Sequence, residues 1–346
     1  MEQIKFNLLP ETEKRNVYQQ ISNTTGMMAF AVEKDWWVVQ VLAVIFDEMD
    51  VGKHIIFKGG TSLSKAWKLI SRFSEDVDLA IDRAYLGFGD DLSKSQRTAL
   101  RKAAGAFTCE KFRNDLETMI SAKGFGPDIR INVVEAKDSD QDPRIIEIYY
   151  PNTIVSPGYL EPKVQIEIGC RSLKEPYSIQ PINSLVDDHY PGSVFAQSHL
   201  HIPTANPERT FLEKVFLLHE EFQRPKEKMR VKRLSRHLYD IFKLSGTPHF
   251  EKALSDRSLY ETIVEHRYKF TRVGRVNYNL HAPQTINPLP IPELIKAWQN
   301  DYQTMVEQMI YEPHPPSFDE IIDQITNITR RINNLEWTLK KTYPSV

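Results

Sequence analysis

The sequence predicts an α+β fold: a mixed sheet with helices in the first part of the chain and a mainly helical second part. Three observations predict it. A helix–strand–helix–strand unit occupies residues 33–82, a run of short strand patterns follows between 129 and 169, and helical patterns take over beyond Pro207. The chain has 346 residues, 41% of them hydrophobic, which is material for a sizeable core. At ~100–200 residues per domain, two domains are expected.

The 44 basic and 46 acidic side chains leave a formal charge of -2, which excludes a uniformly basic nucleic-acid coat but not a local patch. Cys109 and Cys170 are the only cysteines. They exclude a disulfide framework and a cysteine zinc site. The opening Met-Glu-Gln-Ile-Lys lacks the basic-then-apolar pattern of a signal peptide. The densest apolar run, Trp36 to Phe46, is eleven residues long and includes Gln40. A membrane span needs ~20. A soluble protein in a reducing, cytoplasmic setting is expected, with no membrane partner.

Taken in order, residues 1–30 are polar, with a short helix expected from Pro10 to Gln20. From Glu33 the pattern is apolar on every side, as in a helix buried in a core. His54-Ile55-Ile56-Phe57-Lys58 reads as a buried strand ended by Gly59-Gly60. Thr61 or Ser62 is placed to cap a helix over Leu63–Ile70. Asp76 to Asp82 alternates as a strand with a carboxylate face. One long helix, Lys94–Lys123, is closed by Gly124, and strands follow at Ile129–Glu135, Ile145–Tyr150 and Lys163–Gly169. Five helices are expected beyond Pro207: Glu208–Gln223, Val231–Ser245, Leu259–Tyr268, Ile291–Met309 and Phe318–Leu339, with turns at Gly246-Thr247-Pro248 and Pro313-His314-Pro315-Pro316. The domain boundary is set at residue 205, giving domains of 1–205 and 206–346.

The strongest chemical constellation is strand, Gly59-Gly60-Thr61, helix, then Asp76-x-Asp78 on a strand. Two glycines let backbone N–H groups approach a phosphate, and a helix start adds a favourable dipole. Carboxylates at i and i+2 of a strand share a side. There they can hold two divalent cations against a triphosphate, activating an attacking hydroxyl and stabilising departing pyrophosphate. Alone, a Gly-Gly is ordinarily a turn and an Asp-x-Asp a solvated edge. In this order, flanked by apolar strand residues, a carboxylate pair is costly without cations.

The run Phe57-Lys58-Gly59-Gly60-Thr61-Ser62-Leu63-Ser64-Lys65, followed by Arg72-Phe73-Ser74-Glu75-Asp76-Val77-Asp78-Leu79, resembles the signature of AbiEii/AbiGii-type nucleotidyltransferases. These are toxins of bacterial toxin–antitoxin and phage-defence operons, in the DNA polymerase β-like nucleotidyltransferase superfamily. The resemblance is closest over 33–82 and weakens to about residue 245. It implies a polymerase-β-like first domain and a third acid on a later strand, for which Glu167 in Val164-Gln165-Ile166-Glu167-Ile168-Gly169 is the candidate, with Glu135 and Glu147 as rivals. It also implies a helical lysine and a following Arg-Asp-x-x-Asp-like run. Lys214 and Asp240 match these, whereas His237 stands where the family usually has an aspartate. A lysine in the cleft would bind a triphosphate oxygen as a point charge, with Asp240 holding it. Thr61 and Ser62 at the helix start, and Lys65 one turn on, are nucleotide-binding candidates beside Gly59 and Gly60.

Between Arg224 and His237 stand seven basic residues, among them Arg230, Lys232, Arg233 and Arg236, against the single acid Glu227, a local charge of +6. Such a cluster suits a polyanionic acceptor. Tyr260, Tyr268, Phe270 and Tyr278, interleaved with Arg267, Lys269, Arg272 and Arg275, either extend that surface by stacking on bases or belong to the core. His199, His201 and His219 lack the His-Glu-x-x-His zinc arrangement, and no Gly-x-Ser-x-Gly elbow is present.

The sequence therefore predicts a nucleotidyltransferase that takes a nucleoside triphosphate, uses Mg2+ (or Mn2+) on Asp76, Asp78 and Glu167, and releases pyrophosphate. The expected acceptor is RNA, tRNA first, and the resemblance implies a co-encoded antitoxin. The rivals are the same chemistry on a small molecule and a non-catalytic nucleotide-binding interaction module.

Overall fold

The computed structural model describes residues 5–74, 76–156 and 161–344, so Glu75 of the motif run lies outside the described residues. The chain divides into two compact units, Met1–Trp67 with Phe73–Ala205, and Lys68–Arg72 with Asn206–Val346. The second unit thus takes five residues from between the two motifs.

The first unit is built on a seven-stranded sheet of order β3-β4-β5-β2-β1-β7-β6. Its strands are β1 (Ile55–Lys58), β2 (Asp76–Ile81), β3 (Arg130–Val133), β4 (Arg144–Tyr149), β5 (Lys163–Gly169), β6 (Tyr177–Ile182) and β7 (Leu200–Ala205). The pairs β2–β5 and β1–β7 are parallel and the other four antiparallel, so the sheet is mixed, as the order of elements predicts. β6 and β7 are not among the expected strands. Pro181 and Pro203 interrupt their patterns, and β6, on the sheet edge, exposes alternate residues. Proline in a run argues against a central strand and permits an edge one.

Helices α1 (Glu11–Thr25) and α2 (Ala29–Ala43) precede the sheet. α2 is buried from Phe30 to Leu42, as its apolar pattern demands, and it begins four residues before Glu33. The glycine-led helix departs from expectation. Instead of Leu63–Ile70 capped by Thr61 or Ser62, α3 spans Gly59–Lys65, opening on the glycines after an extended Lys58. Tertiary bonds displace the caps. Thr61 Oγ1 donates to the Asp76 carbonyl at 2.5 Å, and Ser62 Oγ donates to the Gly59 carbonyl at 2.9 Å. The long helix is two, α4 (Lys94–Phe107) and α5 (Arg113–Ala122), joined by a π-type turn over Thr108–Phe112. A short α6 (Leu185–His189) lies between β6 and β7.

The second unit contains α7 (Pro207–Glu221), α8 (Ser235–Ser245), α9 (Pro248–Ser255), α10 (Arg257–Phe270), α11 (Ile295–Gln308) and α12 (Phe318–Asn333). α8 starts four residues later than expected, after Arg233 adopts a left-handed φ of 63°. α9 stands where the sequence predicts only a turn; Pro248 opens it, since the missing N–H costs nothing at a helix start. In α12, Ile321, Ile325, Ile328 and Ile332 form one buried stripe behind a Ser317–Glu320 capping box. Cys109 and Cys170 are free thiols. Among the described residues no helix is long and apolar enough to cross a membrane.

Candidate active site

The strand registers assemble the acidic site. β1 pairs Lys58 with Asp78, and β2 pairs Asp76 with Gln165 and Asp78 with Glu167. Residues opposite one another in a ladder share a face. Lys58, Asp78 and Glu167 therefore stand in a row across three adjacent strands, with Asp76 two residues along β2. The other face carries Phe57, Val77, Leu79, Val164, Ile166 and Ile168, all buried. That apolar layer holds the row in place.

Burial, together with the charges of Asp78 and Asp76, pushes the Glu167 carboxyl up to about 6, while Lys58 and a 3.1 Å hydrogen bond from Gln165 act the other way. Like charges crowded on one face are the donor set that a hard divalent cation suits. Among the described residues no three His, Cys, Asp or Glu side chains already converge in ligand geometry. Gly59 completes the site. Its φ is +81°, and a Cβ there would fall 2.7 Å from Asp78 Cγ. The loop can lie against the carboxylate only because residue 59 has no side chain.

Of the rival acids, Glu147 shares this face, opposite Gln165 on the strand beyond Glu167, but its carboxylate is already engaged. Glu147 accepts from Lys163 at 2.7 Å, Tyr149 at 2.9 Å and Asn132 at 3.3 Å. Glu135 follows β3 and is exposed. Lys65, a nucleotide-binding candidate in sequence, has its Nζ 2.5 Å from Asp35 Oδ1.

In the second unit, Lys214 Nζ lies 2.9 Å from Asp240 Oδ2. The same carboxylate takes two bonds from Arg72, Nε to Oδ1 at 2.7 Å and a terminal nitrogen to Oδ2 at 2.8 Å. Arg72 is 2% exposed and Asp240 fully buried. Burial depresses the Lys214 ammonium, with Arg72 and Arg236 adding to it and Asp240 opposing. Burial also holds His237, the residue in the family's aspartate position, well below its usual range, and its Nδ1 lies 3.5 Å from Lys214 Nζ. Arg72 is a partner that the sequence does not predict. Its signal was its place just before the Phe73-Ser74 run, but the contact spans 168 residues. Backbone bonds fix it: Tyr311 N donates to Ser71 O, and Ser71 N to Tyr239 Oη.

The basic run is partly consumed. Glu221 takes Arg224 at 3.1 Å and Arg230 through its backbone N–H at 2.7 Å and its guanidinium at 2.6 Å. Lys226, Lys228, Arg230, Lys232 and Arg233 are exposed, Arg233 with its backbone N–H donating to Asp301, and Arg236 is half-buried. Of the interleaved aromatics, Tyr260, Phe270 and Tyr278 are core residues rather than a stacking surface. Tyr268 packs edge-on to Tyr278, with Arg272 over its ring. His199 and His201 are exposed, and His219 is buried, its Nδ1 accepting from Asn287 N.

Comparison with solved structures finds the MenT4 nucleotidyltransferase toxin of Mycobacterium tuberculosis, at 16% identity and a TM-score of 0.42 over 95% of this chain and 94% of that one. It also finds JHP933 from Helicobacter pylori, at 14% identity and 0.40 over 87% and 91%. No curated protein sequence matches. Residues 40–324 match the family described as nucleotidyl transferase AbiEii toxin, type IV toxin–antitoxin system. That span holds both the glycine loop and the carboxylate strand, and the chain belongs to this family of nucleotidyltransferases.

Proposed function

We propose that this nucleotidyltransferase toxin transfers a nucleotide from a nucleoside triphosphate to RNA, with tRNA the first acceptor to test. The observation that carries the chemistry is the row Asp78–Glu167, with Asp76 beside it, facing Gly59. Asp76, Asp78 and Glu167 would hold Mg2+, which when bound neutralises the triphosphate and makes the acceptor hydroxyl more acidic. The glycine backbone and the start of α3 orient the phosphates. The acceptor oxygen bonds to the α-phosphorus, the bond to the β-phosphate bridge breaks, pyrophosphate leaves, and Glu167 accepts the hydroxyl proton.

Lys214 is proposed as a cation for a triphosphate oxygen. Its support is its match to the family's helical lysine and the Asp240 carboxylate 2.9 Å from its Nζ, which orients the ammonium. The exposed Lys226, Lys228, Lys232 and Arg233 support a polyanionic acceptor rather than a small neutral one. A co-encoded antitoxin fits the type IV family. The test is incubation with Mg2+, each labelled triphosphate and total bacterial tRNA, beside an Asp76→Ala, Asp78→Ala control. Label on RNA only with the intact protein supports the reading. Triphosphate consumption without labelled RNA moves the acceptor to a small molecule.

A further inference from the structure

Apart from Gln40, helix α2 is apolar except for three consecutive charges, Glu33, Lys34 and Asp35, and all three are buried, at 1%, 2% and 7% exposure. Buried charges persist only where each is paired or hydrogen-bonded. Each here reaches a different segment. Glu33 takes the backbone N–H groups of Thr153 and Ile154, at 2.7 and 2.9 Å. Lys34 donates to the Glu161 carbonyl at 3.3 Å. Asp35 takes the Leu185 N–H on Oδ2 at 2.7 Å and Lys65 Nζ on Oδ1 at 2.5 Å.

The last bond bears on the site. α3 has seven residues and is fixed at both ends. At its front, Thr61 Oγ1 binds the Asp76 carbonyl and Gly59 lies against the Asp78 carboxylate. At its back, Lys65 is held by Asp35. Two turns of helix are stiff, so the anchor at Lys65 sets how the glycines meet Asp76 and Asp78.

We infer that Asp35 is a positioning residue for the triphosphate site, acting through Lys65, and that Lys65 is an anchor rather than a phosphate ligand. This rests on the proposed triphosphate chemistry. An anchor and a ligand respond oppositely to loss of Asp35. If Lys65 were a ligand, freeing it would tighten triphosphate binding; if it is an anchor, binding weakens.

The test measures dissociation constants for Mg2+–triphosphate by calorimetry, and transfer kinetics, on the full chain carrying Asp35→Asn, Lys65→Met, both changes, or Lys65→Arg. Each single loss should raise Kd and KM for the triphosphate about tenfold, with kcat changing less, and the double variant should be no worse than either. Lys65→Arg, which can still pair with Asp35, should stay within about threefold of wild type. Unchanged or tighter binding in Asp35→Asn overturns the inference, as do multiplicative losses in the double variant. Should Asp35→Asn not fold, wild-type Kd in Lys65→Met overturns it equally. A wild-type chain that binds no triphosphate overturns instead the reading on which it rests.

Discussion

The Asp78 carboxylate occupies the space that a side chain at residue 59 would fill. The glycine loop and the acidic strand are therefore one steric unit, although eighteen residues separate Gly59 from Asp78 in the chain. Gly59→Ala must either push Asp78 aside or leave its left-handed φ of +81°. Strain of about 1–3 kcal/mol is expected, together with a loss of transfer activity of at least ~100-fold. Thermal unfolding and labelled-nucleotide transfer on the same preparation check both. Wild-type transfer in Gly59→Ala would show that the contact does not matter.

Asp240 holds two cations in a buried setting. Asp240→Asn should destabilise the protein by about 3–5 kcal/mol, because Arg72 and Lys214 lose their shared counter-charge. Replacing Arg72 and Asp240 together, by Met and Leu, should cost less than Asp240→Asn alone. Urea midpoints at constant slope measure this.

The buried His219 ring gives the second unit an acid limb. Burial, with His281 beside it, lowers its pKa to about 3. The unfolded chain then binds a proton near pH 6.5 that the folded chain refuses until about pH 3. Stability is lost as pH falls through that window, by up to about 1.4 kcal/mol per pH unit. His219→Asn should flatten the fall of the unfolding midpoint between ~pH 6 and ~pH 4. An unchanged slope would place the acid sensitivity elsewhere.

Lys228 and Lys232 should behave differently from Arg230, which is exposed yet held by Glu221. Lys228→Ala and Lys232→Ala should each weaken binding of the proposed RNA acceptor about three- to tenfold and reduce its salt dependence. Arg230→Ala should act mainly on local order, because two guanidinium nitrogens of Arg230, beside its backbone N–H, already donate to Glu221. Oligonucleotide affinity at two salt concentrations, with proteolysis of the 224–236 segment, separates the two effects.

By itself the sequence determined the α+β class, the strand nature of residues 55–58 and 76–81, and the shared side of Asp76 and Asp78. These follow from local periodicity, which one strand or helix expresses without help from the rest of the chain. It determined the family too, because the motif residues are contiguous. Only the tertiary structure decided that Glu167 stands opposite Asp78, since register between strands 89 residues apart is a property of the sheet. The same holds for the start of α3, where the bond from Thr61 to the Asp76 carbonyl displaced a good local cap. It holds most for Asp35, Arg72 and Asp240. Their burial looks anomalous in a linear pattern and becomes stable only when a distant partner of opposite charge is folded against them.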